Sequence, residues 1–398
     1  MKPIYFDYAA TTPVEDSVFE AMKPYFLNGD GQFGNAGSLH SFGQKARSVI
    51  DKSRIDIAKT IFANHREIIF TSSATEANNI VLRGVLKSFF KNSKNCGIIP
   101  KIIISSIEHP SVMETAKALA DDGSIELVLL TVDENGIINT DDLKKNLDER
   151  TILVSVMWVN NETGSLQPVS EIVKIVSEFK NQIKNSNRYP LVHTDAVQAF
   201  NYFDLNVQRS GVDLMTISSH KIYGPKGAGA LYVKNQESKI ITPIITGGDQ
   251  EYGLRSGTEN VPAIVGFSKA AQIAYNDNQK ESNRLFELTD SFFNLLKKEI
   301  PNIKINGPAI LNKKSPHILN IHFPHHKNIG MTLDMAGVAI STGSACSQRY
   351  EKPSYVLRAM GFDEDHIAES VRFSFGRYTN LEEIKEAILR ITKVTNKN

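Results

Sequence analysis

Six short apolar runs constrain the fold of this chain more than any other feature: EIIFTS (67–72), KIIISS (101–106), ELVLLTV (126–132), TILVSVMWV (151–159), YPLVHTD (189–195) and VDLMTIS (212–218). Ile and Val recur in them with little polar alternation, the pattern of strands buried on both faces of a parallel sheet. Parallel neighbours cannot be joined by tight turns; they need crossover connections, usually helices. The chain has helical periodicity to match. In ARSVIDKSRIDIAKTIF, Ala46, Ile50, Ile57 and Ile61 fall on one face at spacings of four and seven. The expected architecture is α/β, layered around a mostly parallel sheet.

After residue 260 the pattern changes. The stretch 260–300 reads as one long helix, with Asn260 as cap and Pro262 in the first turn. A strand follows in PHILNIHFP, then a polar loop around Cys346, then a terminal amphipathic helix in NLEEIKEAILRITKV. This predicts a large domain over 13–260 and a smaller α/β domain built from 1–12 and 261–398. The smaller domain carries the cysteine loop, at about 341–354.

Composition removes several classes of function. The chain holds 45 basic and 44 acidic side chains, net charge +1, and no polybasic segment, so nucleic-acid binding is not expected. No stretch approaches the roughly 20 apolar residues that span a bilayer. The opening MKPIYFDYAATTP, with Asp7 inside it, lacks the apolar core of a secretion signal. Cys96 and Cys346 make no disulfide framework, so a reduced, cytoplasmic setting is expected.

The chemistry is concentrated at strand ends. Lys221, in VDLMTISSHKIYGPKGAGALYV, follows a strand and precedes a glycine-rich turn. A lysine there can form a Schiff base, or can be an ordinary solvated side chain. Asp195 ends another run and suits either the pyridinium nitrogen of pyridoxal phosphate or a helix cap. TSSATEANN is a strand, a small polar turn and a helix start, where free N–H groups would take a phosphate. Ser73 and Glu76 fit a capping box there, and Thr75 and Ser218 add hydroxyls. His109 sits where it could stack on a planar cofactor or be structural. His322, His325 and His326 in HFPHH lack the helical spacing and cysteine partners of established zinc sites, and no metal is expected.

Taken in order, DYAATTP, TSSATEANN, EHPSV, VNNETG, HTDAVQ, SSHKIYGPKGAGALYV, LRSGTEN, STGSAC and VRFSFGR resemble the blocks of the cysteine desulfurases. These are class V, fold type I pyridoxal phosphate enzymes, and the resemblance runs from Tyr5 to about Ile391. The spacing from Cys346 to Pro353 is similar to that of the long-loop subgroup resembling the iron–sulfur cluster assembly desulfurases. The resemblance implies Lys221 as the cofactor lysine, Asp195 as partner of the ring nitrogen and Gln198 as donor to the phenolate oxygen. It implies His109 as the stacking acid/base, and Ala74, Thr75, Ser218 and His220 as phosphate contacts. Thr258 would reach the cofactor of the other subunit of a homodimer. Asn161, which also contacts the cofactor, and Arg372 would hold the substrate carboxylate.

By the same resemblance the substrate is L-cysteine. Lys221 removes the Cα proton, the Cys346 thiolate attacks the substrate sulfur, alanine leaves and Cys346 is left as a persulfide. The acceptor would be an iron–sulfur scaffold or a thiolation enzyme. The same residues would serve a selenocysteine lyase or another class V enzyme, which substrate competition separates. A sulfur carrier or scaffold that had lost catalysis would lack the cofactor's yellow colour.

Overall fold

A computed structural model describes residues 2–28, 32–91, 97–183, 189–235, 239–309, 313–342 and 353–396. The strands, in chain order, are β1 (Ile4–Tyr5), β2 (Ile68–Thr71), β3 (Lys101–Ser105), β4 (Glu126–Leu130), β5 (Thr151–Ser155), β6 (Leu191–Asp195), β7 (Leu214–Ser218), β8 (Gly229–Val233), β9 (Lys304–Asn306), β10 (Ile318–His322), β11 (Val338–Ala339) and β12 (Ser370–Ser374). The helices that matter here are α1 (Asp16–Met22), α2 (Ser41–Thr60), α3 (Ala74–Phe90), α4 (Pro110–Asp121), α5 (Thr140–Asn146), α6 (Val169–Gln182), α7 (Val207–Ser210) and α8 (Val261–Glu299).

All six apolar runs form strands of one sheet. Among the described residues its order is β2-β8-β7-β6-β5-β3-β4. The pairs from β7 through β6, β5 and β3 to β4 are parallel. The sequence reading missed β8, which runs antiparallel to both β7 and β2. Its apolar GALYV follows β7 after a ten-residue connection that carries Lys221, and no crossover helix announces it.

Side-chain alternation explains why the strands look apolar throughout. Ile103, Val154, Val192 and Met215 enter one core layer with α2, α6 and the first half of α8. Ile102, Ile104, Leu153, Leu191 and Leu214 enter the other layer with α3 and α4. Both faces are therefore covered, as a parallel sheet requires. Ala46, Ile50, Ile57 and Ile61 are all buried, as their spacing predicts.

The helix expected after Asn260 is present, and the Asn260 side chain accepts the Ala263 N–H at 3.2 Å. Its 39 residues would span about 58 Å at 1.5 Å per residue. Val261 to Ala274 pack in the large core, whereas Leu285, Phe292 and Leu296 pack in a third cluster with β10 and β12. Packing thus changes hands inside α8 rather than at its start. Ile4 and Phe6 join that third cluster, so the N-terminal strand packs with the C-terminal residues. No helix among the described residues is long and apolar enough to cross a membrane.

Candidate active site

The C-terminal ends of the parallel strands converge on a cleft, the usual place for ligands in open α/β sheets. A pocket of about 200 Å³ lies there. Lys221, His220, Asp195, Gln198 and His109 line it, with Ala74 and Thr75 at one side and Asn161 and Arg372 at another. Nine of the predicted side chains are thus brought together from six separated sequence blocks.

Lys221 ends a one-turn 3₁₀ helix directly after β7. Its Nζ donates to the carbonyls of Ala9 and Ala10, at 2.5 and 2.6 Å. The DYAATTP segment therefore forms a wall of the pocket. Thr12 fastens that wall: its N–H and hydroxyl both donate to the His220 carbonyl, and its oxygen accepts the Tyr223 N–H. Burial, helped by Lys221 and Lys226, pushes the His220 imidazole down to about 3. His220 is neutral, and its Nδ1 lies 3.2 Å from Thr11 Oγ1.

Asp195 closes β6 with both carboxylate oxygens engaged. Oδ1 accepts the Val197 N–H at 3.0 Å, closing a turn rather than the helix cap anticipated from sequence, and Oδ2 accepts Asn78 Nδ2 at 2.8 Å. Gln198 donates Nε2 to the Ala9 carbonyl at 2.9 Å, while its Oε1 meets His317 Nε2 at 3.2 Å. An amide so held keeps a second Nε2 hydrogen. His109 caps α4, and burial holds it below the usual imidazole range, with Lys221 adding to that and Asp195 opposing it.

At the start of α3, Ser73 caps the helix by accepting the Glu76 N–H. The expected reciprocal box does not form: Glu76 accepts from the N–H and hydroxyl of Ser72 instead, and pairs with Arg255 at 2.7 Å. Ala74 and Thr75 occupy the first turn, where backbone N–H groups have no intrahelical partner. Ser218 does not line the pocket surface, yet its Oγ is buried and meets no partner among the described residues. An orphaned hydroxyl near a helix N-terminus suits a phosphate, so these residues fit pyridoxal phosphate. Thr258 is exposed and lies outside this chain's own pocket.

Arg372, on β12, is almost wholly buried. It gives one terminal nitrogen to the Asn161 carbonyl at 2.7 Å and the other to Asp7 Oδ1 at 2.6 Å, and its Nε has no partner among the described residues. Its backbone pairs with Ser341, and Ser354 donates to Glu162. Cys346, with Gln348 to Lys352 and Cys96, lies outside the described residues.

Several participants were not foreseen. Asp7, Asn78 and His317 bond site residues from positions remote in sequence, and Ser111 bonds His109 from two residues on. Trp158 is half-buried and packs on the main core, while its neighbours Met157 and Val159 line the pocket. The HFPHH histidines do not converge: His322 stacks on His366 and bonds Glu369, while His325 is exposed.

A fold type I sheet with this pocket at its strand ends defines a pyridoxal phosphate enzyme. The Aminotransferase class-V family model matches residues 4–386. The cysteine desulfurase IscS of Rickettsia bellii is 42% identical over 396 residues, covering 99% of this chain and 92% of its own. That of Dictyoglomus turgidum is 40% identical over 398 residues, covering 100% and 95%. A solved NifS-like protein superposes with a TM-score of 0.88 at 32% identity, over 100% of both chains. The chain belongs to the class-V aminotransferase family and, within it, to the cysteine desulfurases.

Proposed function

We propose that this pocket takes sulfur from L-cysteine, leaves L-alanine, and loads the sulfur on Cys346 as a persulfide for an acceptor protein. The observation that carries the reading is the convergence of Lys221, Asp195, Gln198, His109 and Arg372 on one pocket. Lys221 would hold the cofactor between cycles, and Asp195 would pair with its ring nitrogen. Ala74, Thr75, Ser218 and His220 would hold the phosphate. Pyridoxal phosphate, when bound, supplies an aldehyde for the substrate amine and a ring that stores electrons released at Cα.

Arg372, flanked by Asn161, takes the substrate carboxylate; a guanidinium suits this because its planar fork binds carboxylates bidentately. The Lys221 amine would carry the Cα proton. Cys346 receives the sulfur, and a reducing, cytoplasmic compartment would keep its thiol available. The acceptor is an iron–sulfur scaffold or a thiolation enzyme. The working unit is a homodimer: Phe26, Leu27, Phe33 and Leu39 stand exposed, and Thr258 lies outside its own pocket, free to complete a partner's.

The Lys221→Ala variant should lose the visible absorbance of the bound cofactor and all alanine release from L-cysteine. Alanine formation at the parental rate would sink the proposal. Cys346→Ala should stop sulfide release when no thiol is added.

A further inference from the structure

The ring of His109 is fixed by a relay through Ser111 and Asn78, which desulfuration as proposed leaves unused, to Asp195. Its Nδ1 accepts the Ser111 backbone N–H at 3.1 Å and lies 2.8 Å from the Ser111 hydroxyl. That hydroxyl is 2.8 Å from Asn78 Nδ2, which also lies 2.8 Å from Asp195 Oδ2. Only one assignment of hydrogens satisfies every pair. The Asp195 carboxylate has no hydrogen to give, so Asn78 must present its amide nitrogen, with one hydrogen for each neighbour. Because the Ser111 backbone N–H already donates to His109 Nδ1, that nitrogen carries no hydrogen, and Ser111 Oγ, accepting from Asn78, turns its own hydrogen to it. Nδ1 therefore meets two donors, and the backbone amide among them cannot reverse its role. The ring proton sits on Nε2, the nitrogen left for the pocket that His109 lines.

We infer that His109 works as a neutral hydrogen-bond donor through Nε2–H, fixed in that tautomer by the positioning residues Ser111 and Asn78, and is not the base of the reaction. A base at Nε2 would first need a hydrogen on Nδ1, aimed at the amide hydrogen of Ser111. An imidazolium would meet the same obstacle. The charged and titratable groups that act on the ring are Asp195 at the end of β6 and Lys221 and His220 after β7. Proton transfer is left to Lys221. What His109 donates to rests on the desulfurase reading, whereas the tautomer rests on the relay alone.

Nitrogen NMR of ¹⁵N-histidine-labelled holoenzyme reads the tautomer directly, with His109→Gln as the blank that assigns the ring. At neutral pH, Nδ1 should show a pyridine-type shift and Nε2 a pyrrole-type shift. Ser111→Ala should displace the Nδ1 resonance while Nε2 keeps its proton. A proton on Nδ1, a doubly protonated ring, or an unmoved Nδ1 resonance in Ser111→Ala would overturn the inference. Kinetics supply the second readout. Gln can donate from its amide but cannot titrate, so His109→Gln should stay within about tenfold of the parent with its pH profile intact, while His109→Leu falls well below it. If His109 were the base, both would drop together by about 10²–10⁴-fold and the profile would lose a limb. A parent inert toward L-cysteine would refute the desulfurase reading and leave the NMR result standing.

Discussion

Glu108, one residue before His109, is fully buried, and burial pushes its carboxyl up to about 8 from 4.5. Ser105 and the Met157 N–H both donate to Oε1, while Oε2 has no partner among the described residues. The folded chain thus keeps this proton up to about pH 8, whereas the unfolded chain releases it near 4.5. Glu108 therefore contributes its full stability below pH 4.5 and loses it as pH rises toward 8, by up to about 1.4 kcal/mol per pH unit. Glu108→Gln removes the titration and keeps an acceptor for both donors. Urea midpoints of the two proteins at pH 5, 6.5 and 8 should diverge in the variant's favour as pH rises; parallel curves would show that Glu108 does not titrate this way. The residue scale is also where sequence reading was most uneven. Lys221, Asp195 and His109 were legible because each ends or closely follows a strand within a recognisable block. Asn78 and Ser111 were not, although Asn78 stands in the same TEANN block as Thr75. Their meaning depends on partners 117 and 33 residues away, which only the sheet brings together.

Between elements, the start of α3, proposed above to take the phosphate, is steadied by an ion pair outside the pocket. Arg54 of α2 forks onto Glu251, at 2.6 and 2.8 Å, and also donates to the Ile68 carbonyl. Glu251 in turn accepts the Phe70 N–H of β2. The loop it anchors holds Asp249, Glu251 and Tyr252 at φ of 57°, 50° and 58°, a left-handed conformation that costs about 1–2 kcal/mol per non-glycine residue. Four residues later the same loop sends Arg255 to Glu76 at the start of α3. Arg54→Met would strand a buried carboxylate, a loss of about 3–5 kcal/mol. It should also free the loop, so that Arg255 no longer steadies α3 and cofactor is lost faster on dialysis. A lowered Tm with unchanged cofactor retention would separate the two effects and refute the link. Arg54 was half legible: it lies four residues after Ile50 and three before Ile57, a charge on an apolar face. Such a charge needs a buried partner, but helical periodicity cannot say that the partner is a loop carboxylate 197 residues on. β8 was hidden for the opposite reason, since the ten residues that join it to β7 hold no crossover helix to flag it.

At the scale of the whole molecule, three separated parts of the chain close one pocket. The N-terminal segment supplies the carbonyls facing Lys221 and the Asp7 carboxylate on Arg372. The large sheet supplies Asp195 and Lys221, and β12 supplies Arg372. α8 ties them together by packing in both the large core and the C-terminal cluster. Thr258 is the exception, since it stands exposed two residues before the α8 cap. If Thr258 serves a second copy, the two defects Lys221→Ala and Thr258→Val should complement each other. A Lys221→Ala chain has a dead pocket but an intact Thr258 to lend. A Thr258→Val chain has an intact lysine but leaves its partner's phosphate short of a donor. In a mixed dimer, the lysine of one chain and the threonine of the other meet in the same pocket, and the opposite pocket carries both defects. Dimer exchange in a mixture of the two variants, followed by measurement of cofactor affinity at the surviving pocket, should therefore recover parental binding that neither variant shows alone. The surviving pockets are countable, because only chains retaining Lys221 develop the cofactor's visible band. A Thr258→Val affinity unaltered by mixing would mean that Thr258 acts within its own chain or not at all. A Thr258→Val protein that binds cofactor like the parent would exclude any contribution from this residue.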